Sequence, residues 1–173
     1  MSVSLHSATI RSYLQILASI DGLLDKAEAH CRENGLQDKA LTEVRLAQDM
    51  WPFAKQVQQC AHHSAGAIEG VRAGVFRPHT DPVPTDFAAL RAEIARATAL
   101  LDAIEPEEME RLAGQNVRFE FGTRIMPFLG SDFLLSFSMP NFYFHASVAY
   151  AILRAQGLAI GKSNFIGQPV ISA

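Results

Sequence analysis

The chain has 173 residues, a length that suits one folded domain because domains cluster near ~100–200 residues. Apolar residues make up 49% and charged residues 19%, which supports a hydrophobic core and excludes an intrinsically disordered chain. Lysine and arginine total 15 against 18 acidic residues, so there is no basic excess for binding phosphates. We therefore expect a single domain over residues 1–173 and no nucleic-acid partner.

The N-terminal region and the most apolar stretch give expectations about location. No basic segment followed by an apolar run and a small-residue cleavage site is found at the start, so no secretory signal is predicted. Residues 133–153 carry no charged side chain and are long enough to span a bilayer. Polar residues and Pro140 interrupt this stretch, which favours a buried core helix over a membrane span. Cys31 and Cys60 can pair, but their helical contexts are typical of reduced thiols, and a cytoplasmic protein without a membrane partner is expected.

The first predicted helix is the clearest element in the chain. Its apolar positions recur at alternating steps of three and four residues, which is the period of one helix face. These positions are Ile10, Tyr13, Leu17, Ile20, Leu24, Ala27 and Cys31. Ser4 is placed to cap the start, and Asn34-Gly35 is placed to end the helix. A rod of about 40 Å at 1.5 Å per residue needs partners of similar length.

Two further amphipathic helices follow. The second is predicted to begin near Trp51-Pro52, with small residues along its apolar face. Gly74 to Pro84 is predicted to be a loop, after which Thr85 is placed to cap a third helix. Pro106 is then expected to interrupt the chain before a short acidic segment.

The period changes before the last long helix. Val117, Phe119 and Phe121 alternate with charged residues, which indicates a small hairpin or extended excursion. A nearly all-apolar fourth helix is predicted from Pro140 to Gln156, followed by an irregular tail from Leu158. Four such helices favour an all-α fold, an antiparallel four-helix bundle with the excursion before its last helix.

Histidines are the residues most suggestive of a site. His145 shares a face of the fourth helix with Asn141 and other core-facing residues. It is therefore either a functional residue inside the bundle, as a metal ligand or an acid/base catalyst, or a core histidine whose ring is hydrogen-bonded. His62 and His63 are adjacent, and successive helical residues point about 100° apart, so both cannot face one site equally. His63 is predicted at a boundary and His62 on the solvent face, although which of them faces a pocket stays open.

A polar strip on the second helix completes the candidate pocket. It runs through Asp49, Gln56, Cys60 and His63, and it is either a pocket wall opposite His145 or an ordinary helix boundary. A cysteine beside a histidine can form a thiolate nucleophile. The candidate pocket residues are His145, His63, Cys60, Gln56, Asn141 and Tyr150.

Motifs of common enzyme classes are missing. The sequence contains no HExxH, no CxxC and no Gly-x-Ser-x-Gly. Gly161-Lys162-Ser163 matches only the end of a phosphate loop, because Gln156 stands where that motif needs glycine. The residues alone therefore predict neither a reaction nor a substrate.

Three segments resemble a known family. They are "RLAQDMWPFAKQV" at the second-helix start, "PNFYFHASVAYAILRAQG" in the fourth helix and "GKSNFIG" in the tail. Together they resemble an uncharacterised bacterial family, a domain of unknown function in the DinB/YfiT-like superfamily of four-helix bundles. The resemblance covers Leu5 to about Gly167, and the fourth-helix segment is its most specific part.

The resemblance implies a site and an assembly. Many members of the superfamily bind nickel or zinc through one histidine of the second helix and a His-x-x-x-His pair of the fourth, and many are homodimers. Some are transferases or isomerases that use low-molecular-weight thiols. His145 matches the first histidine of the pair, and His63, or less closely His62, matches the second-helix ligand. Ala149 stands where the second histidine of the pair is expected, so the implied metal ligands reduce to His145 and His63.

Two hypotheses follow for the function. In the first, the protein is a homodimer that binds a small ligand or has a structural role and retains an incomplete histidine set. In the second, it is a metal- or thiol-dependent transferase or isomerase that uses His145 and His63, with nickel or zinc as the cofactor. Rings of these two histidines more than ~10 Å apart would exclude a shared site, because catalytic partners need hydrogen-bond reach.

Overall fold

A computed structural model describes residues 3–169 and 171, most of them helical. The longest helices are α1 (Leu5–Glu33), α3 (Phe53–Ala61), α5 (Phe87–Asp102) and α8 (Met139–Ala155). The short helices are α2 (Lys39–Thr42), α4 (Ala67–Ala73), α6 (Pro106–Ala113), α7 (Gly130–Asp132) and α9 (Lys162–Ile166). Two π-helical turns, His62–Gly66 and Phe133–Ser138, join α3 to α4 and α7 to α8. The expectations for Met1 and for the tail residues Val170, Ser172 and Ala173 lie outside the described residues.

Helix α1 matches its sequence pattern along its whole length. The Ser4 hydroxyl accepts a hydrogen bond from the backbone N–H of Ser7, which satisfies one of the free donors of the first turn. The helix ends at Glu33, and Gly35 then takes a φ of 62°, a left-handed conformation that glycine adopts without strain. Every residue of the predicted apolar face is buried. Tyr13 of this face packs edge-on against Phe142 of α8, with ring centroids 4.8 Å apart.

The second predicted helix is present but is not a uniform α-helix. Pro52 immediately precedes α3, as expected for a residue suited to a helix start. The π-helical turn His62–Gly66 interrupts it before α4. A π-turn uses i→i+5 hydrogen bonds and often occurs at functional positions. It changes the direction of every side chain that follows it, which ideal helical spacing does not predict.

A three-stranded sheet makes the all-α expectation wrong in the strict sense. The predicted hairpin is confirmed as β2 (Asn116–Phe121) paired antiparallel with β3 (Arg124–Leu129), and Gly122 turns between them with a φ of 59°. A third strand, β1 (Val75–Phe76), lies within the predicted loop and pairs parallel with β2. Because β1 has only two residues, its sequence carries no alternation from which a strand can be recognised.

The last long helix starts earlier than the sequence indicates. Helical residues run without interruption from Gly130 through the second π-helical turn into α8, so Pro140 lies inside a helical run and does not begin one. Proline has no backbone N–H and crowds the preceding turn of an α-helix. The π-helical turn directly before α8 changes the α-type hydrogen-bond ladder at this point, which lets the proline ring be accommodated on an exposed face.

Three smaller expectations need correction. Asp86 caps α5, not Thr85: the Asp86 carboxylate accepts from the Ala89 N–H at 2.8 Å, whereas the Thr85 carbonyl accepts from the Thr42 hydroxyl. The segment after Pro106 is a helix rather than a break, because proline is favoured in a first helical turn. The tail contains the short helix α9.

The packing of the helices places the candidate histidines opposite each other. Helix α3 packs against α8 and α5, and α1 packs against α5, α8 and α9. One cluster of buried apolar side chains extends through these contacts. Within the described residues, no helix combines the length and apolar character needed to cross a membrane.

Candidate functional site

The two candidate histidines line one cavity of about 170 Å³, which we call the histidine cavity. Its walls come from Trp51 before α3, the last turn of α3, the first π-helical turn, the sheet and the segment from Phe137 to His145. The lining residues are Trp51, Gln59, His62, His63, Phe76, Pro78, Phe119, Phe137, Asn141 and His145. The rings of His63 and His145 lie 5.7 Å apart between centroids, so the distance that would exclude a shared site is not reached.

The tautomer of His145 follows from its hydrogen bond with Gln56. The side-chain amide of Gln56 donates to the Trp51 carbonyl at 3.0 Å, so its Oε1 is left as an acceptor. His145 Nδ1 lies 2.7 Å from this oxygen and therefore carries the proton. The lone pair of His145 is consequently on Nε2.

The tautomer of His63 follows in the same way from Ser138. The Ser138 hydroxyl donates to the backbone carbonyl of His63 at 2.9 Å, so its oxygen accepts from His63 Nδ1 at 3.3 Å. This pair connects the two π-helical turns across the fold. His63 therefore also presents its lone pair on Nε2, the form that accepts a donor or binds a metal.

Stacked rings surround these imidazoles. Trp51 stacks on His145 at 5.6 Å and 16°, and His145 stacks in turn on His63 at 20°. His62 lies 5.4 Å from His63 and stacks on Phe76 at 4.3 Å. His62 is half-buried, and the prediction that it faces open solvent is wrong, because the segment from Phe76 to His79 packs against its ring.

Burial keeps the three imidazoles neutral at physiological pH. Loss of hydration, together with the neighbouring His62 and His145, lowers the pKa of His63 to about 3. Burial also lowers the pKa of His145 to about 4, with a smaller contribution from Lys55. The pKa of His62 falls to about 4 through burial and the proximity of His79. Such weakly basic groups are poor proton carriers near pH 7, because efficient acid–base catalysis needs a pKa near the working pH.

Cys60 is not a nucleophile in this arrangement. Its thiol is fully buried, donates to the Gln56 carbonyl at 3.3 Å and does not line the histidine cavity. Burial raises its pKa well above the usual range, so the reactive thiolate is disfavoured. The thiol interpretation of the polar strip on α3 is therefore unsupported by the geometry.

We expect both cysteines to be unreactive in the folded protein. Cys31 and Cys60 are free, and both are buried. A colourimetric thiol reagent at neutral pH should label neither thiol within the time in which free cysteine reacts completely, and both thiols in denaturant. Rapid labelling of one thiol in the native protein would contradict the buried placement.

The other predicted pocket residues divide into two groups. Gln56 is buried and hydrogen-bonded to His145, and Asn141 lines the cavity while its amide donates to the Phe137 carbonyl at 2.7 Å. Tyr150 points elsewhere and packs against Phe165 of α9 at 5.8 Å. Asp49 is exposed and does not line the cavity.

The donors of the histidine cavity do not fit a catalytic zinc or nickel site. Such a site needs about three protein ligands and an open position. His63 and His145 supply two, and the third histidine of the cavity, His62, donates its Nε2 proton to the Arg77 carbonyl. Ala149, one helical turn after His145, is buried and has no donor atom. Nowhere in residues 3–169 and 171 does a group of three or more histidine, cysteine, aspartate or glutamate residues form a possible metal site.

Several residues of the site were not predicted from the sequence. Ser138 holds His63, and Trp51, Phe119 and Phe137 form aromatic walls. The role of Ser138 depends on a contact across 75 residues, for which no local pattern exists.

Comparisons with known proteins agree with the expected resemblance. The model of a domain of unknown function, DUF1993, matches residues 5–166. A crystal structure of a DinB family member from Shewanella denitrificans matches with a TM-score of 0.81 and 24% sequence identity, covering 98% of this chain and 95% of that one. No curated protein matches the chain. The fold is thus that of a DinB family member, and the chain belongs to the DUF1993 family.

Proposed function

We propose that the protein binds a small, uncharged, largely aromatic molecule in the histidine cavity, on an antiparallel four-helix bundle scaffold. The observation that carries this proposal is the pair of neutral imidazoles held as Nδ1–H tautomers between aromatic walls. Their Nε2 lone pairs accept hydrogen bonds from a ligand, and the stacked rings favour a planar body. Among the described residues, no acidic or basic side chain other than histidine lines the cavity, which disfavours a charged ligand.

The size of the cavity restricts the ligand. At about 170 Å³ it is smaller than the ~300 Å³ at the lower end of pockets for drug-sized molecules. A single ring with one donor group, such as a phenol or a primary amide, suits these dimensions. Aromatic walls would supply most of the binding free energy, and the imidazoles would supply orientation.

Fluorescence tests the proposal directly, because Trp51 is the single tryptophan and lines the cavity. Titration with phenol and with benzamide should change the Trp51 emission in a saturable way. Because hydrogen bonds contribute ~1 kcal/mol each, His63→Gln and His145→Gln should each weaken binding about fivefold. The matched control His30→Gln, on α1 and outside the cavity, should bind as the unmodified protein does.

Three results would overturn this function. The first is that neither probe changes the Trp51 emission, which would leave a structural role. The second is equal affinity in the unmodified protein and both cavity variants. The third is stoichiometric nickel or zinc in the purified protein that disappears in His145→Ala, which would favour the metal-dependent enzyme.

We also propose that the protein is a cytoplasmic homodimer. The free thiols of Cys31 and Cys60 are typical of a reducing compartment. Phe121, Ile125 and Phe144 expose more than half of their side chains, and large exposed apolar side chains favour an interface when they are contiguous. Sedimentation velocity at micromolar concentration should show a dimer, and a monomer alone would contradict the proposed assembly.

A further inference from the structure

A second cavity, separate from the histidine cavity, lies between the first π-helical turn and α5, and we call it the acceptor cavity. It has a volume of about 140 Å³. Its lining residues are Ala61, His62, Ala65, Gly66, Glu69, His79, Glu93, Arg96, Ala97 and Leu100. Of these, only His62 also lines the histidine cavity.

Two buried polar atoms in this wall have no hydrogen-bond partner among the described residues: Oε2 of Glu93 and Nδ1 of His79. Buried polar groups are nearly always hydrogen-bonded, so two of them on one small cavity need an explanation. Glu93 uses its other oxygen, which accepts from the Gln58 amide at 3.4 Å. Lys55 donates to the Gln58 side chain at 2.7 Å and makes no hydrogen bond to Oε2.

The histidines of the cavity present acceptors rather than donors. His62 Nε2 lies 2.9 Å from the Arg77 carbonyl and therefore carries the proton, which leaves a lone pair on Nδ1. His79 Nε2 faces the Asp81 carboxylate at 3.7 Å, which favours the proton on Nε2 and a lone pair on Nδ1. The rings of His62 and His79 lie 5.2 Å apart. Two imidazole lone pairs and one carboxylate oxygen thus belong to one wall.

A cavity lined with acceptors needs a ligand rich in donors. We propose that the acceptor cavity binds a small primary amine as its ammonium ion, with Glu93 Oε2, His79 Nδ1 and His62 Nδ1 accepting its three N–H donors. The carboxylate supplies the opposite charge, and charge-assisted hydrogen bonds of this kind are the strong ones. Arg96 also lines the cavity and is exposed. Its positive charge disfavours a ligand that carries more than one positive charge.

The geometry favours an ammonium ion over a metal ion. Ligands hold a zinc ion at about 2.0–2.2 Å, whereas hydrogen-bond acceptors hold an ammonium nitrogen at about 2.7–3.2 Å and can lie farther apart. Across the part of the chain that is described, no three histidine, cysteine, aspartate or glutamate residues are arranged to hold a metal. The small side chains Ala65 and Ala97 and the Leu100 side chain provide an apolar wall for a short alkyl chain.

Titration with n-butylammonium chloride, followed by the ring C–H resonances of the histidines in NMR at neutral pH, tests this site. The resonances of His62 and His79 should shift in a saturable way, while those of His145, which lines only the other cavity, should not. Tetramethylammonium chloride has the same charge and no N–H donor, and it should produce no saturable shift. A saturable response to zinc chloride at His62 and His79 without one to n-butylammonium would overturn the proposal.

Two variants measure what the Glu93 carboxylate contributes to binding. Glu93→Gln keeps the size of the side chain and removes its charge, so n-butylammonium should bind about tenfold or more weakly, as for a charged hydrogen bond of about 1.5–3 kcal/mol. Glu110→Gln removes the same charge from an exposed position of α6 and should leave the affinity unchanged. Equal affinity in Glu93→Gln and the unmodified protein would overturn the proposal.

A steric variant keeps the test decisive if Glu93→Gln does not fold. A Cβ added at Gly66 would lie 3.1 Å from His62 Nδ1, inside the cavity wall. Gly66 has a helical φ of −61°, so alanine is compatible with its backbone. Gly66→Ala should fold, keep every charge and still weaken n-butylammonium binding severalfold, and unchanged affinity in this variant would also overturn the proposal.

Discussion

Lowering the pH from 7 to 5 is expected to reduce the free energy of unfolding by about 4 kcal/mol, through His63 and His145 alone. In the unfolded chain a histidine has a pKa of about 6.5. In the folded protein burial holds the pKa of His63 at about 3 and that of His145 at about 4. Protons therefore bind the unfolded state first, and each histidine contributes a loss of about 2 kcal/mol over this interval.

The direction of the effect follows from these pKa values. The loss of stability begins as the pH falls through about 6.5 and continues until the folded state also takes up protons near pH 3–4. The charged or titratable groups that act on the two imidazoles, Lys55 and His62, would repel an imidazolium and so reinforce the direction. Hydrogen bonds from Arg118 and Arg77 hold the pKa of the Glu120 carboxylate below its usual range.

Urea denaturation at pH 7 and pH 5 measures this effect. The transition should move to lower urea with an unchanged slope, since the same surface becomes exposed on unfolding. The double variant His63→Gln/His145→Gln should reduce the difference by about 4 kcal/mol, and the contribution of His62, whose pKa is also lowered to about 4, should remain. His30→Gln should retain it. Equal unfolding free energies at both pH values in the unmodified protein would contradict the buried, neutral state of these histidines.

The elements predicted well from the sequence are those whose periodicity is long or strict. The seam of α1 runs from Ile10 to Cys31, about six turns at 3.6 residues per turn, and local pattern and tertiary burial agree at every position. The hairpin from Asn116 to Leu129 is recognisable because strand alternation changes to a glycine turn. Helix α1 buries the face that its sequence marks as apolar, whereas the hairpin buries Val117 and leaves Phe121 and Ile125 exposed.

The π-helical turns could not be predicted, and the site depends on them. A π-turn has no composition of its own, since its extra residue is retained only where tertiary contacts stabilise it. The hydrogen bonds between Ser138 and His63 connect both turns across the fold. The sequence predicted His63 and His145 in the pocket but placed His62 on the solvent face, because its contacts with the segment from Phe76 to His79 are tertiary and have no local pattern. Tyr150 was assigned to the pocket although the tertiary structure directs it to Phe165.

The junction between the sheet and the last long helix depends on a glycine that tolerates no side chain. Gly130 follows β3 directly and starts the helical run that carries Ser138 and His145. Its backbone N–H donates to the Gln115 carbonyl at 2.8 Å, which draws the chain close to the end of α6. A Cβ at this position would lie 2.1 Å from the carbonyl oxygen of Leu112 and 3.0 Å from a methyl group of Val71.

Gly130→Ala is therefore expected to destabilise the protein by about 3 kcal/mol or more, because the clash is with backbone that cannot rotate away. The matched control is Gly22→Ala on α1, where an added Cβ meets no atom within 4 Å. That substitution should stabilise the protein by about 0.5–1 kcal/mol, since alanine loses less conformational entropy than glycine in a helix. Urea denaturation of both variants at pH 7 measures the two effects.

If Gly130→Ala were as stable as the unmodified protein, the close approach of α6 to the start of α7 would be wrong. The placement of Ser138 beside His63 would then lose its structural support, since the same helical run positions that hydroxyl.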